Sequence, residues 1–164
     1  MSIIEALNVL DLAAPNPNSG LPDEVFYYIS RTTPLVNVDL LIKDERNRIL
    51  LAWRNDAYCG RGWHIPGGIV RFKETFEERL KKVAECEVGA SIDINLSPLA
   101  INELINQQTD VRGHFISVLF QGHLSGEFAP DNKGLITDDP GFLKWHDTCP
   151  VDLLSFHKIY TKFF

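Results

Sequence analysis

The sequence predicts an α/β fold in which helices flank a mixed β-sheet, and three observations lead there. Val36, Val38, Leu40 and Ile42 alternate with Asn37, Asp39, Leu41 and Lys43, the period of a strand. A continuous apolar run at Ile49–Trp53 follows, which suits a strand covered on both faces. An amphipathic helix begins after Thr75, and more strand-like runs come after it. The resulting order, two strands, a glycine-rich loop, a helix, three strands and a last helix, belongs to a layered α/β sandwich.

The elements follow in order along the chain. Ala13–Pro22 reads A-A-P-N-P-N-S-G-L-P, a turn-rich arm. Pro22–Arg31 is expected to form a short helix, with Asp23 and Glu24 in its first turn and Thr33-Pro34 as its stop. Residues 1–34 thus form an N-terminal arm with one short helix, on a single domain of 164 residues. Asp44–Asn47 is polar and joins the first two strands as a hairpin. Ala57–Gly68 is read as a loop, with four glycines and a proline in A-Y-C-G-R-G-W-H-I-P-G-G. Thr75 and Glu78 have the spacing of a capping box, and Phe76, Leu80, Val83 and Ala84 form an apolar stripe ending near Gly89. Ser91–Leu96, Ala100–Gln107, His114–Leu124 and Phe142–His146 are expected strands, and a helix is expected after Pro150.

Composition narrows the function. The chain is 45% hydrophobic, with a mean hydropathy of -0.08, as in an ordinary globular domain. Its formal charge is −6, which argues against nucleic-acid backbone binding but leaves room for a small phosphate ligand. Cys59, Cys86 and Cys149 form neither a disulfide framework nor a zinc spacing. No apolar run is long enough to span a membrane, and Met1–Pro15 has no signal-peptide pattern. The expected location is the cytoplasm. The N-terminal arm is a candidate dimer element.

One acid stands out. The apolar stripe at 76, 80 and 83 continues to 87, and that residue is Glu87. A carboxylate on a core-facing stripe is costly unless it is paired or holds a metal. Nearby Gly67-Gly68 feeds the helix, and a turn of this kind offers backbone groups to a ligand or cation. A hard cation such as Mg2+ takes oxygen donors and keeps waters for substrate phosphates. The plainer alternative is that Glu87 reaches solvent past Gly89.

From Gly68 to Ala90 the chain resembles the Nudix box, G-x5-E-x7-R-E-U-x-E-E-x-G-U with U aliphatic. Gly68, Glu74, Glu87 and Gly89 match without a gap, and Trp63-x-x-Pro66-Gly67-Gly68 matches the usual lead-in. The resemblance spans about Val36 to Trp145 and implies a Nudix-type α/β/α sandwich. Three positions depart: Lys82 replaces the box Arg, while Val83 and Cys86 replace two box acids. One branch with such losses is the GDP-mannose mannosyl hydrolases. It is similar also in T-T-P-L-V-N-V-D-L-L-I, in Asp39, in Arg54 and in the loop before Gly68.

That similarity implies one Mg2+ held by the Gly67 carbonyl and Glu87, and water attack at the sugar C1 with release of a nucleoside diphosphate. Arg54 and Lys82 are the expected diphosphate contacts, Asp39 is an expected substrate contact, and Trp63, near the site, could stack on the base. The branch's late-loop Gln-His pair is missing before Trp145, and Asp138 or Asp139 is the expected replacement, Asp139 being taken as the base. Arg71 lies two residues beyond the branch's usual Arg position, which is Ile69 here. Structural roles compete at several positions: Glu74 as a helix-start charge, Asp39 as a solvated carboxylate, Cys86 as a small core residue, Trp63 as packing, and His114 and His123 as sheet polar residues. The expected function is Mg2+-dependent hydrolysis of a nucleotide-sugar such as GDP-mannose. A pyrophosphatase attacking phosphorus and an inactive nucleotide-sugar binding module are the alternatives.

Overall fold

The first strand, β1 (Leu35–Lys43), buries both of its faces, because helices lie on each side of the sheet it centres. Its even residues Val38, Leu40 and Ile42 join Leu50 and Ala52 of β2 (Ile49–Asp56) under α3 (Phe76–Val83), where Leu80 and Val83 are also buried. Its odd residue Leu41 instead joins Leu51, Trp53 and Trp63 beneath the C-terminal 3-10 helix (Ser155–Phe163), which contributes Tyr160. Two apolar clusters on opposite faces of one sheet make the α/β/α sandwich. The computed structural model describes all 164 residues.

The sheet is mixed. Its order is β3 (Gly60–His64), β2, β1, β6 (His114–His123) and β5 (Asp93–Ile105), with β4 (Gly67–Ile69) also on β1 and β7 (Leu143–His146) also on β2. β1 and β2 form the expected hairpin, and β1 runs parallel to β6 (His114–His123).

Four sequence expectations are corrected. Residues 57–68 form more than a loop: β3 (Gly60–His64) pairs with β2, and β4 pairs with β1. Glycine-rich strands have no side-chain alternation to reveal them; their backbone pairing does so. The two strands expected at 91–96 and 100–107 are one strand, β5 (Asp93–Ile105), broken in register between Asn95 and Ala100. The arm carries a further helix, α1 (Ile3–Ala13), started by a capping box between Ser2 and Glu5, before α2 (Asp23–Ser30). The last helix is of the 3-10 type rather than α.

Helix α3 starts as expected. The Thr75 hydroxyl accepts from the Glu78 N–H, and the Glu78 carboxylate accepts from the Thr75 N–H. Its end is different. Ala84–Val88 forms a π turn closed by Gly89 N–H to the Ala84 carbonyl at 2.9 Å, and Gly89 lies at φ 74°. Such widened turns re-aim side chains and recur at functional sites. This one carries Cys86 and Glu87 out of the core.

Candidate active site

Gly67 sits where a side chain cannot. In the β1–β4 pair the Leu40 N–H donates to the Pro66 carbonyl at 2.8 Å and the Val70 N–H to the Val36 carbonyl at 2.9 Å. Alternate residues 66, 68 and 70 therefore face β1, and the Gly67 peptide groups face away from it. A methyl group on Gly67 would lie 2.5 Å from Asp39 Oδ1 and 2.8 Å from the Val38 carbonyl oxygen. The backbone approaches this closely only because residue 67 is glycine.

Beneath Gly67 lies Asp39, which is 2% exposed. Its carboxylate accepts from Asn37 Nδ2 at 2.8 Å, from the Tyr160 hydroxyl at 2.8 Å and from Ser117 Oγ. His157 Nε2 stands 3.7 Å from the other face of the carboxylate. The His157 Nδ1 accepts the Ile65 N–H at 2.9 Å, which leaves Nε2 to carry the proton toward Asp39. Burial alone would raise the Asp39 carboxyl, but His157, Ser117 and Tyr160 outweigh it and hold it below the usual carboxylate range. The expectation that Asp39 meets substrate or solvent is corrected here. The second helical layer covers this face of the sheet, so Asp39 lies beneath Gly67 and does not line the cleft.

Glu87 lies at a cleft of about 630 Å³, lined also by Arg54, Asp56, His64, Gly67 and Asp131. The Glu87 side chain is 31% exposed, and its Oε2 is 3.3 Å from His64 Nε2. Arg54 donates through Nε to Asp56 Oδ2 at 2.5 Å. Asp56 in turn accepts the N–H groups of Tyr58 and Cys59, which fixes the turn after β2. Burial would lower the Arg54 guanidinium, yet the Asp56 hydrogen bond and the charges around it, Glu87 included, raise it above its ordinary value. Arg54 thus stays a fixed cation at the cleft.

A smaller groove of about 260 Å³ shares Gly67, Cys86 and Glu87 with the main cleft and adds Arg71, Arg79 and Lys82. Glu74 organises these cations. It accepts from Lys82 Nζ at 2.7 Å, Arg79 Nε at 2.7 Å and the Arg71 N–H at 3.0 Å. Burial opposes its charge, but those three donors prevail, Lys82 foremost, and its carboxyl falls to about 2. The expected structural role of Glu74 fits this geometry. Its folded pKa is depressed, so its stabilisation is complete above pH 4.5 and is lost as pH falls toward about 2. Glu74→Gln is expected to cost about 1–3 kcal/mol at neutral pH. Urea unfolding should show the gap between variant and wild type closing over that acid range.

The structure separates the other expected site residues. Trp63 is 5% exposed and packs edge-on against Trp53 at 5.1 Å and His146 at 4.5 Å, inside the core beneath the 3-10 helix. Its cross-strand partner Trp53 is buried in the same layer and also borders the cleft. Asp139 accepts the Ile136 N–H at 2.9 Å and closes its own turn. Asp138 pairs with Arg61 at 2.5 Å. Neither lines the cleft, while Asp131, Pro140 and Gly141 of the same loop do. Cys86 is exposed rather than a core residue. His114 and His123 face Glu103 and Glu45 on the surface. His64 was not singled out by the sequence; its only signal is its place between Trp63 and Pro66.

The donor chemistry also limits what a metal site can be. No three His, Cys, Asp or Glu side chains converge anywhere in the chain. Val83 is buried under the sheet and Cys86 faces the cleft in place of carboxylates. One carboxylate and one free backbone carbonyl suit a single Mg2+ that retains waters and takes substrate phosphate oxygens. They do not suit a multinuclear centre.

A family model described as the NUDIX domain matches residues 33–163. The chain belongs to the Nudix family. As a Nudix hydrolase it acts on a small molecule, a nucleoside diphosphate linked to a second moiety. The family generally uses a divalent metal, typically Mg2+. The chain is 33% identical over 112 residues to the low-salt glycan biosynthesis protein Agl8 of Haloferax volcanii, covering 66% of this chain and 70% of that protein. Among solved structures, the MutT protein of Methanosarcina mazei Go1 is similar with a TM-score of 0.60 at 18% identity, over 80% of this chain and 93% of that one. A MutT NUDIX hydrolase from Burkholderia pseudomallei is similar with a TM-score of 0.60 at 24% identity, over 79% and 97%. These Nudix structures share the fold of the chain. No helix is long and apolar enough to cross a membrane.

Proposed function

We propose that this Nudix hydrolase cleaves a nucleotide-sugar of the GDP-mannose type by attack of water at the sugar carbon, releasing the nucleoside diphosphate. The observation that carries the reading is that Glu87 is the one acid of the helix that lines the cleft. Val83 and Cys86 stand where carboxylates would hold more cations, and Glu87 with the Gly67 carbonyl is left to hold one. Attack at phosphorus needs the reacting phosphoryl group itself clamped by cations. Departure of an intact diphosphate needs only that its accumulating charge be met. The glycan biosynthesis role in the name of the Haloferax relative points toward the same substrate class.

In this reading Glu87 and the Gly67 carbonyl would hold Mg2+, which supplies Lewis-acid neutralisation of the diphosphate leaving group. Arg54 and Lys82 supply the fixed positive charge on either side of Glu87, and Glu74 keeps Lys82 and Arg79 in place. The attacking water needs a proton acceptor within hydrogen-bond reach. Asp139, the expected base, accepts the Ile136 N–H and does not line the cleft, so the base taken from the same loop is Asp131, which does. Lys133 pairs with Asp131 at 3.0 Å across exposed surface, and such a pair is easily exchanged for a substrate contact.

Hydrolysis of GDP-mannose in heavy-oxygen water tests this directly. Label is expected on the released sugar and absent from the phosphates. Label on phosphate means attack at phosphorus and overturns the proposal in favour of a pyrophosphatase. Binding of the nucleotide-sugar without turnover means a binding module.

A further inference from the structure

We propose that His64 is a second side-chain ligand of the cation assigned to Glu87, and that its nitrogen makes the site prefer Mn2+ or a similar transition ion over Mg2+. This rests on the reading of Glu87 as a metal ligand and adds to it the identity of the missing donor.

His64 ends β3, and Ile65 and Pro66 separate it from Gly67. Its side chain is 11% exposed, against 31% for Glu87, and both residues line the same cleft. The ring is set by its surroundings. His64 stacks on His157 at 6.3 Å, and His157 is anchored on the Ile65 N–H. The His64 Nδ1 is buried without a partner, so Nε2 is the nitrogen that reaches the cleft. Nothing in the chain but Glu87 meets it.

The meeting is a long hydrogen bond, and its length also suits two ligands of one ion. An imidazolium hydrogen-bonded to a carboxylate closes to about 2.7–2.9 Å. The observed separation is 3.3 Å. Two donors each about 2.1 Å from one ion stand about 3.0 Å apart at a right angle and about 3.4 Å apart at a tetrahedral one. The His64–Glu87 spacing falls between these values. Two ligands of one ion would stand at this spacing, and Gly67 lines the same cleft. The site then has three protein donors, one nitrogen and two oxygens, although two of the box acids are absent.

The chemical consequence is selectivity. Mg2+ is a hard ion that takes oxygen donors, whereas imidazole nitrogen favours first-row transition ions. Occupancy by Mn2+ also leaves positions open for diphosphate oxygens, so the proposed substrate is unchanged.

Binding of Mn2+ and of Mg2+ to the folded protein, without substrate, is measured by calorimetry for wild type, His64→Gln and Glu87→Gln. Pulsed EPR of the Mn2+-loaded protein reads ligand nitrogen directly. Wild type is expected to bind Mn2+ more tightly than Mg2+, with a histidine nitrogen coupling that disappears in His64→Gln. That variant should lose at least about tenfold in Mn2+ affinity and little in Mg2+ affinity. If His64→Gln fails to fold, wild type carrying heavy-nitrogen histidine replaces it, and the coupling must change with the isotope. Mn2+ binding that depends on Glu87 but shows no histidine coupling overturns the role of His64 and leaves the role of Glu87 standing. Mn2+ binding indifferent to Glu87→Gln, or no binding of either ion, overturns both.

Discussion

Asp39→Ala is expected to destabilise the protein by roughly 3–5 kcal/mol, the range for breaking a buried charged network by removing one member. Asp39 has no solvent to fall back on, and three donors depend on it: Asn37, Ser117 and Tyr160. Without the carboxylate one hydroxyl can donate to the other, 2.7 Å away, but the second must find a new acceptor inside a closed layer, at about 1–3 kcal/mol if it fails. Burial first, and then the Asp39 charge, raise the Tyr160 phenol far above its usual range. Loss of that charge should bring its ultraviolet titration down. Chemical denaturation measures the stability loss. A change under about 1 kcal/mol, little more than an ordinary surface substitution costs, would show that the network contributes nothing of consequence.

Gly67→Ala is expected to lower turnover about a hundredfold, the scale of a 1 Å misplacement of a catalytic group. Its stability loss should be smaller, about 1–3 kcal/mol for an overpacked site. The added methyl meets Asp39 Oδ1 at 2.5 Å and the Val38 carbonyl at 2.8 Å, and neither can retreat easily. One is locked by its hydrogen bonds and the other belongs to the sheet. β4 must therefore lift from β1, taking the Gly67 carbonyl with it. Combining Gly67→Ala with Asp39→Ala should cost less than the sum of the two, since the methyl then occupies space the carboxylate has left. Relief stays partial because the Val38 carbonyl remains. Gly68→Ala is the control. Its methyl would meet Arg79 Cδ and Val83 Cγ2 at 3.1 Å, which are side-chain atoms able to yield. Equal losses from both glycines would remove the special role of Gly67.

Several residues that line the candidate cleft are legible in the sequence. Glu87 was marked by one acid on an apolar stripe, Gly67 by the paired glycines before a capped helix, and Arg54 by the end of an apolar strand. These signals are local, written within a few turns or a few strand residues. Those that failed depended on what lies across the molecule. Asp39 alternates out of the α3-facing row, and alternation cannot say whether the opposite face meets water or a second layer. The C-terminal 3-10 helix supplies that layer from more than a hundred residues away. Trp63 was placed near the substrate by its neighbours in sequence, yet its pairing with Trp53 turns it into the core. Asp139 is expected as the base from its place in the chain, yet its carboxylate accepts the N–H of its own turn and does not line the cleft.

Sequence alone determined the α/β class, the β1–β2 hairpin, the capped helix and the family signature, since each rests on periodicity or on short fixed spacings of residue types. Only the tertiary structure decided which carboxylates meet the cleft. It buried Asp39 beneath Gly67, tied Glu74 to Lys82 and Arg79, and widened the end of α3 so that Glu87 turns toward His64. The reason is that a side chain's charge and reach are local properties, whereas its solvent and its partners come from strands and helices packed against it from distant parts of the chain.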